Sequence, residues 1–167
     1  MSMSTEAAHK HWWQIFEVVF GIPFLAAIAL QFFVPLAFPR EMPAPALILA
    51  GAVFILLGIA LVVAARRALA RQGQPTDPGR PTSALVTSGV FSFSRNPLYL
   101  GGVLALVGVA LTFNLPWVLV SLLPALVACH YVLIVPEERY LADHFGADYV
   151  AYAASVHRWL GRKRSAR

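Results

Sequence analysis

Four apolar runs constrain this chain more than any other feature. They extend from Ile15 to about Leu36, from about Ala46 to Ala65, from near Leu98 to about Phe113, and from Trp117 to Ile134. A helix needs about 20 apolar residues to cross the hydrocarbon core of a bilayer. Three of the runs approach or reach that length, and the third is short for a full crossing. Backbone amides in lipid must be bonded within a helix or a closed barrel. None of the runs alternates apolar and polar residues as a barrel strand does. The expectation is an all-α membrane protein with about four transmembrane helices. Composition agrees: of 167 residues, 59% are hydrophobic and 13% charged, against about a quarter charged in soluble domains.

A cleaved signal peptide is the rival reading of the first run, with Lys10 as its charged lead. The run is too long for one and no clear small-residue cleavage site follows, so a retained span is expected. Trp12 and Trp13 precede it where an interfacial aromatic belt would lie. Glu17 lies inside the first run, near those tryptophans, and reads as an interfacial carboxylate rather than a functional one. Gly51 and Gly58 in the second run are candidate close-packing positions. Asn114-Leu115-Pro116 is a tight turn, so runs three and four form an antiparallel helical hairpin. Pro136 is placed as the first residue of a new helix, with Glu137 and Glu138 in its first turn. A pause at Phe145-Gly146 precedes a further helical stretch from Asp148 to Trp159.

The long connection from about Gln72 to Pro97 is broken by Gly73, Pro75, Pro78, Gly79 and Pro81, and Leu85 to Val90 is its one apolar patch, expected against the membrane face. Basic residues cluster between the second and third runs (Arg66, Arg67, Arg71, Arg80, Arg95) and after the fourth (Arg139, Arg158, Arg162, Lys163, Arg164, Arg167); the opposite side holds Arg40. The positive-inside tendency then puts both clusters in the cytoplasm, with the inner membrane as the location. The Arg95 segment and the Glu137 segment fall on one membrane face. The chain divides into a two-span region, 1–71, and a second part, 72–167.

Several chemistries are excluded. There is no His/Cys/Asp/Glu cluster at metal-ligand spacing, so no metal is expected. No Walker loop, Rossmann fingerprint or Gly-x-Ser-x-Gly elbow occurs. The net charge of +5 is explained by topology, and no aromatic-interleaved basic platform marks a nucleic-acid partner. Cys129 reads as a small buried hydrophobe. His130 reads as a neutral core histidine bonded to a neighbouring helix. Glu137 and Glu138 diverge by about 100° on a helix, so one faces the site and the other solvent or an arginine.

The stretch Arg95-Asn96-Pro97-Leu98-Tyr99-Leu100-Gly101 resembles the Arg-His-Pro-x-Tyr-x-Gly signature of the isoprenylcysteine carboxyl methyltransferases and related phospholipid methyltransferases. Leu85-Val86-Thr87-Ser88-Gly89-Val90-Phe91 is similar to their lead-in, and Glu137-Glu138, Phe145-Gly146, Tyr149 and Tyr152 to their C-terminal pattern. The resemblance runs from Ser83 to Leu160. It implies an integral-membrane enzyme using S-adenosyl-L-methionine, with a pocket formed by the hairpin and a cytoplasmic C-terminal helical segment. Carried over by position, it puts Leu85, Val86, Phe91, Asn96, Pro97, Leu98, Tyr99 and Glu137 against the cofactor, and Tyr99, Glu137 and Arg95 in catalytic roles. Gly101 and Gly102 would give the cofactor close backbone approach.

The chain departs from the pattern at Asn96, where the family often has His, at Phe91 for Tyr, and at Leu133, where the prenylcysteine enzymes carry a substrate-binding Arg. That last change argues against a prenylcysteine carboxylate as acceptor. The implied acceptor is a lipid-like or small hydrophobic molecule bearing a carboxyl, amine or thiol. Two alternatives stand beside this reading: an NADPH-dependent membrane reductase of related architecture, and a non-catalytic membrane scaffold.

Overall fold

The computed structural model describes residues 16–75 and 82–163. Lys10, Trp12 and Trp13, the Pro78, Gly79, Arg80 and Pro81 stretch, and Arg164 and Arg167 lie outside the described residues. The chain forms α1 (Phe16–Phe33), α2 (Ala44–Arg71), a 3-10 turn (Gly89–Ser92), α3 (Pro97–Thr112), α4 (Pro116–Ala128), a π-helical segment (Cys129–Ile134), α5 (Val135–Phe145) and α6 (Ala147–Ser155). The one extended pairing among the described residues is an isolated bridge between Val156 and Arg162.

Three helical stretches are long and apolar enough to cross a membrane: Phe16–Phe33, Ala44–Arg71 and Pro116–Phe145; Pro97–Thr112 is apolar but shorter. Their outer faces carry large uncovered hydrophobics, among them Leu25, Phe32, Leu49, Leu56 and Leu123. Such a surface suits lipid rather than water, and the chain is a membrane protein.

In lipid, apolar area alone does not drive helices together, so close approach needs small residues. α2 and α3 meet this way and form the most intimate pair in the molecule. Gly58 faces the Gly101 carbonyl and Ala105; Gly51 faces the Gly108 carbonyl and Thr112. The two glycine pairs share a seven-residue spacing and run in opposite directions, so their faces match only when the helices are antiparallel. α4 packs against α1 and α3. Thus Gly51 and Gly58 do pack closely. Gly101 is given over to α2, through Gly58 and Val62, and Gly102 to the ring of Phe16. The expectation that these two glycines admit a cofactor is corrected, because helix and ring already fill that space.

Pro136 stands in the first turn of α5, as the sequence expects, but α5 continues the preceding span rather than starting afresh. The helical run passes through it from Pro116 to Phe145. Proline lacks the N–H that an α-helix would use and clashes with the carbonyl four residues back. The π segment just before it shifts bonding to i+5, as in Val135 N–H to His130 O. The extra residue re-phases the helix by roughly 100° before Glu137 is reached. At the other end of the bundle, Asn114 adopts φ 54° and its Oδ1 accepts from Phe38 N–H at 2.8 Å. Trp117 Nε1 donates to Val34 O at 2.8 Å. Both bonds tie the α1–α2 connection to the α3–α4 turn.

A Cβ at Gly58 would stand 2.5 Å from the Gly101 carbonyl oxygen. Gly58→Leu should therefore cost roughly 1–3 kcal/mol by overpacking, read as a lowered thermal midpoint in detergent. Gly21→Ala, with nothing within 4 Å of its Cβ position, should leave that midpoint nearly unchanged.

Candidate functional site

Pro97 sits in the first turn of α3, where its missing N–H costs nothing, and it is fully buried. Its fixed backbone directs Tyr99, two residues on, inward. Tyr99 is 7% exposed; its ring stacks beside Phe16 with centroids 6.2 Å apart. Its hydroxyl donates to Glu137 Oε2 at 3.0 Å. Two motifs 38 residues apart thus meet at one end of the bundle. Beneath them lie Cys129, Leu133 and Ile134, all 0% exposed. Leu133 stands where the prenylcysteine enzymes carry their Arg, and it is core.

Glu137 and Glu138 diverge as their spacing requires. Glu138 takes two arginines. Arg95 Nη2 lies 3.1 Å from Oε1, while Arg158 donates from Nε to Oε1 at 2.8 Å and from Nη2 to Oε2 at 2.6 Å. Arg95 also donates from Nη1 to Tyr149 Oη at 3.1 Å. Arg95 therefore braces the C-terminal helices and does not touch the Tyr99–Glu137 pair directly.

The remaining residues fall into a neighbouring group. Leu85 packs on a cluster of Tyr149, Tyr152 and Val156, and Val86 is buried. Of the apolar patch expected against the membrane face, Leu85 is instead turned onto the C-terminal segment, where Tyr149 and Tyr152 offer it aromatic partners. Phe91 contributes through its backbone: its carbonyl accepts from Tyr152 Oη at 2.7 Å. Asn96 is buried and donates from Nδ2 to Arg158 O at 3.0 Å. Leu98 is half-buried in the first turn of α3. Tyr99 with Glu137 is thus one group, Leu85 and Phe91 with the tyrosine cluster another, and Arg95 bonds to Tyr149 of the second and to Glu138, the neighbour of Glu137. An open groove of about 670 Å³ runs between Leu85 and Thr87 on one side and Phe145, Asp148 and Tyr152 on the other.

Glu17 is exposed in the first turn of α1, in keeping with an interfacial carboxylate. His130 is half-buried, with Nδ1 3.5 Å from Arg158 Nη1; its neighbour is a C-terminal arginine, not another span. Cys129 is a free, buried thiol. No group of three or more His, Cys, Asp or Glu among the described residues can hold a metal ion.

Sequence reasoning passes over Gln74 and Arg158. The Gln74 amide is 5% exposed and fully used. Oε1 accepts from Ser83 N–H at 2.8 Å and Ala84 N–H at 3.1 Å; Nε2 donates to Gln72 O at 2.9 Å and Ser83 Oγ at 3.0 Å. It holds the two sides of the long connection together just before Leu85. A glutamine among turn residues carries no sequence signal for this. Arg158 reads from the sequence only as positive-inside charge, since its partner lies 20 residues away.

A family model described as phospholipid methyltransferase matches residues 46–148, well over half of the chain. Neither a curated protein nor a solved structure matches the chain.

Burial, and then the Glu138 charge, push the Tyr149 phenol from 10.0 up to about 12, although Arg95 works the other way. Burial raises Tyr152 too. A folded-state value above the unfolded one means stability that is complete below the unfolded value and lost as pH climbs through the folded value. The folded state should weaken between about pH 10 and about pH 12, and Tyr149→Phe should make that stretch shallower, as followed by tryptophan fluorescence in detergent.

Proposed function

The chain belongs to the phospholipid methyltransferase family, and on that premise we propose that it is a four-span enzyme transferring a methyl group from S-adenosyl-L-methionine to a lipid-like or small hydrophobic acceptor. In this reading the site faces the cytoplasm at the inner membrane, residues 72–167 carry the donor, and 1–71 supply the membrane support. The observation that carries it is the 3.0 Å bond between Tyr99 and Glu137: the signature and the acidic motif reach one place from two different spans.

The donor-facing chemistry fits. The donor's sulfonium and ammonium are cations, its ribose is a hydroxyl donor and its base is flat, with apolar faces and a polar edge. A carboxylate beside an aromatic ring answers the first two needs, and the Leu85–Tyr152 groove answers the last. When bound, S-adenosyl-L-methionine supplies an electrophilic methyl. Tyr99 holds Oε2 of Glu137, which leaves Oε1 to the donor and restrains the carboxylate. Phe16, Leu133 and Ile134 exclude water from beneath it, which strengthens its attraction for a cation. Arg95 and Glu138 keep the two groups of site residues in register. In-line methyl transfer asks mainly for placement, and these residues place. An acceptor amine, thiol or carboxyl then arrives from the lipid side of the bundle. Leu133 provides no cation for an acidic acceptor, which favours an amine or thiol.

Calorimetry of the purified protein with S-adenosylhomocysteine should show binding. Glu137→Ala should weaken it by about tenfold or more, the loss of one charge-assisted contact, and Tyr99→Phe should weaken it less. Methyl donor added to extracted membrane lipids, with mass readout, should yield a product heavier by one methyl. Binding of NADPH in preference to S-adenosylhomocysteine, or no binding with both substitutions silent, would overturn the reading.

A further inference from the structure

The segment after α6 folds back as a closed turn. His157 N–H donates to Gly161 O at 2.8 Å, Val156 pairs with Arg162, and Gly161 takes φ 100°, a region that only glycine enters freely. This turn reaches both halves of the site. Toward α3, Gly161 N–H donates to Phe93 O at 2.7 Å, and His157 O accepts from Arg95 N–H at 3.1 Å. Arg158 O accepts from Asn96 Nδ2 at 3.0 Å. Toward α5, the Arg158 guanidinium grips both oxygens of Glu138. Between these contacts Trp159 packs against the cluster that holds Tyr99, Leu133 and Ile134.

The entry to α3 and the start of α5 belong to different helical stretches. Among the described residues, Arg158 alone bonds to both motifs through backbone and side chain at once. We propose that the turn Val156–Arg162 is a clasp, and that Arg158 is a positioning residue which fixes the separation of Tyr99 and Glu137. Its carbonyl holds Asn96, the residue just before Pro97 and the start of α3, on the approach to Tyr99. Its fork holds Glu138, the residue just after Glu137. A planar fork on a carboxylate fixes angle as well as distance, which a lysine cannot reproduce. A partly exposed ion pair is worth little by itself; the consequence of this one is geometric. The catalytic meaning of the clasp rests on the methyltransferase reading, whereas its existence does not.

The test uses the full chain in lipid nanodiscs, as wild type, Arg158→Ala, Arg158→Lys, Glu138→Gln and the Arg158→Ala/Glu138→Gln double variant. Three quantities are measured: thermal midpoint, affinity for S-adenosylhomocysteine, and amide exchange in peptides covering 93–99 and 156–162. Arg158→Ala should lower affinity about tenfold and speed exchange in both peptides together. Arg158→Lys, which keeps the charge and should give the wild-type thermal midpoint, should recover less than half of the logarithmic loss in affinity. The double variant should fall within about twofold of Arg158→Ala, because contacts acting as one unit are not additive. Multiplying effects, wild-type exchange in Arg158→Ala, or full rescue by lysine would overturn the clasp. If the wild type itself binds no S-adenosylhomocysteine, the donor reading fails and the exchange measurements still decide the clasp.

Discussion

The glycine-faced contact between α2 and α3 is the constraint on which the remaining architecture depends. α3 is short for a membrane helix, and lipid gives it no apolar reason to associate. Backbone-to-backbone approach at Gly58 with Gly101, and at Gly51 with Gly108, fixes its depth and rotation against a much longer neighbour. Tyr99 lies two residues before Gly101, so whatever fixes the glycine face also aims the tyrosine. Glu137 has a matching device on the other side, the π segment that carries the helix through Pro136. Two local departures from the plain α-helix, a groove of glycines and a widened turn, bring a phenol and a carboxylate into contact.

Beside that pair three charged side chains, Glu138, Arg95 and Arg158, are gathered into one network. Glu138 holds Arg95 and Arg158, and Arg95 reaches on to Tyr149. Polar groups removed from water need partners, and here the partners are drawn from the signature, the acidic motif and the segment after α6. The result is two adjacent polar groups, the Tyr99–Glu137 bond and the Glu138 network, at one end of an apolar bundle. A small, cationic, polar donor and an acceptor that prefers lipid can meet at such a boundary.

Much of this was legible in the chain itself. The four apolar runs announced helices, since lipid leaves the backbone little choice. Arg95 to Gly101 and Glu137-Glu138 announced a site by their polarity between such runs. Divergence of the two glutamates follows from the 100° step of a helix. Other features were not legible. Pro136 marked the start of α5 but also looked like a break, because one proline does not announce the i+5 bonding that lets the helix run on into it. Gly101 and Gly102 looked like room for a ligand because the sequence does not say which helix lies against them. Leu85 looked membrane-facing because its aromatic partners, Tyr149 and Tyr152, stand far along the chain.

By itself, then, the sequence determined what each segment is: apolar helix, polar bend, acidic turn. Local bonding and the solvent preference of side chains decide those matters within a few residues. Only the tertiary structure decided who meets whom: that Asn96 bonds to Arg158, that Gln74 closes its own loop, and that Arg95 serves Glu138 rather than Glu137. Such pairings depend on rotation and depth of one helix against another, quantities that no single segment contains.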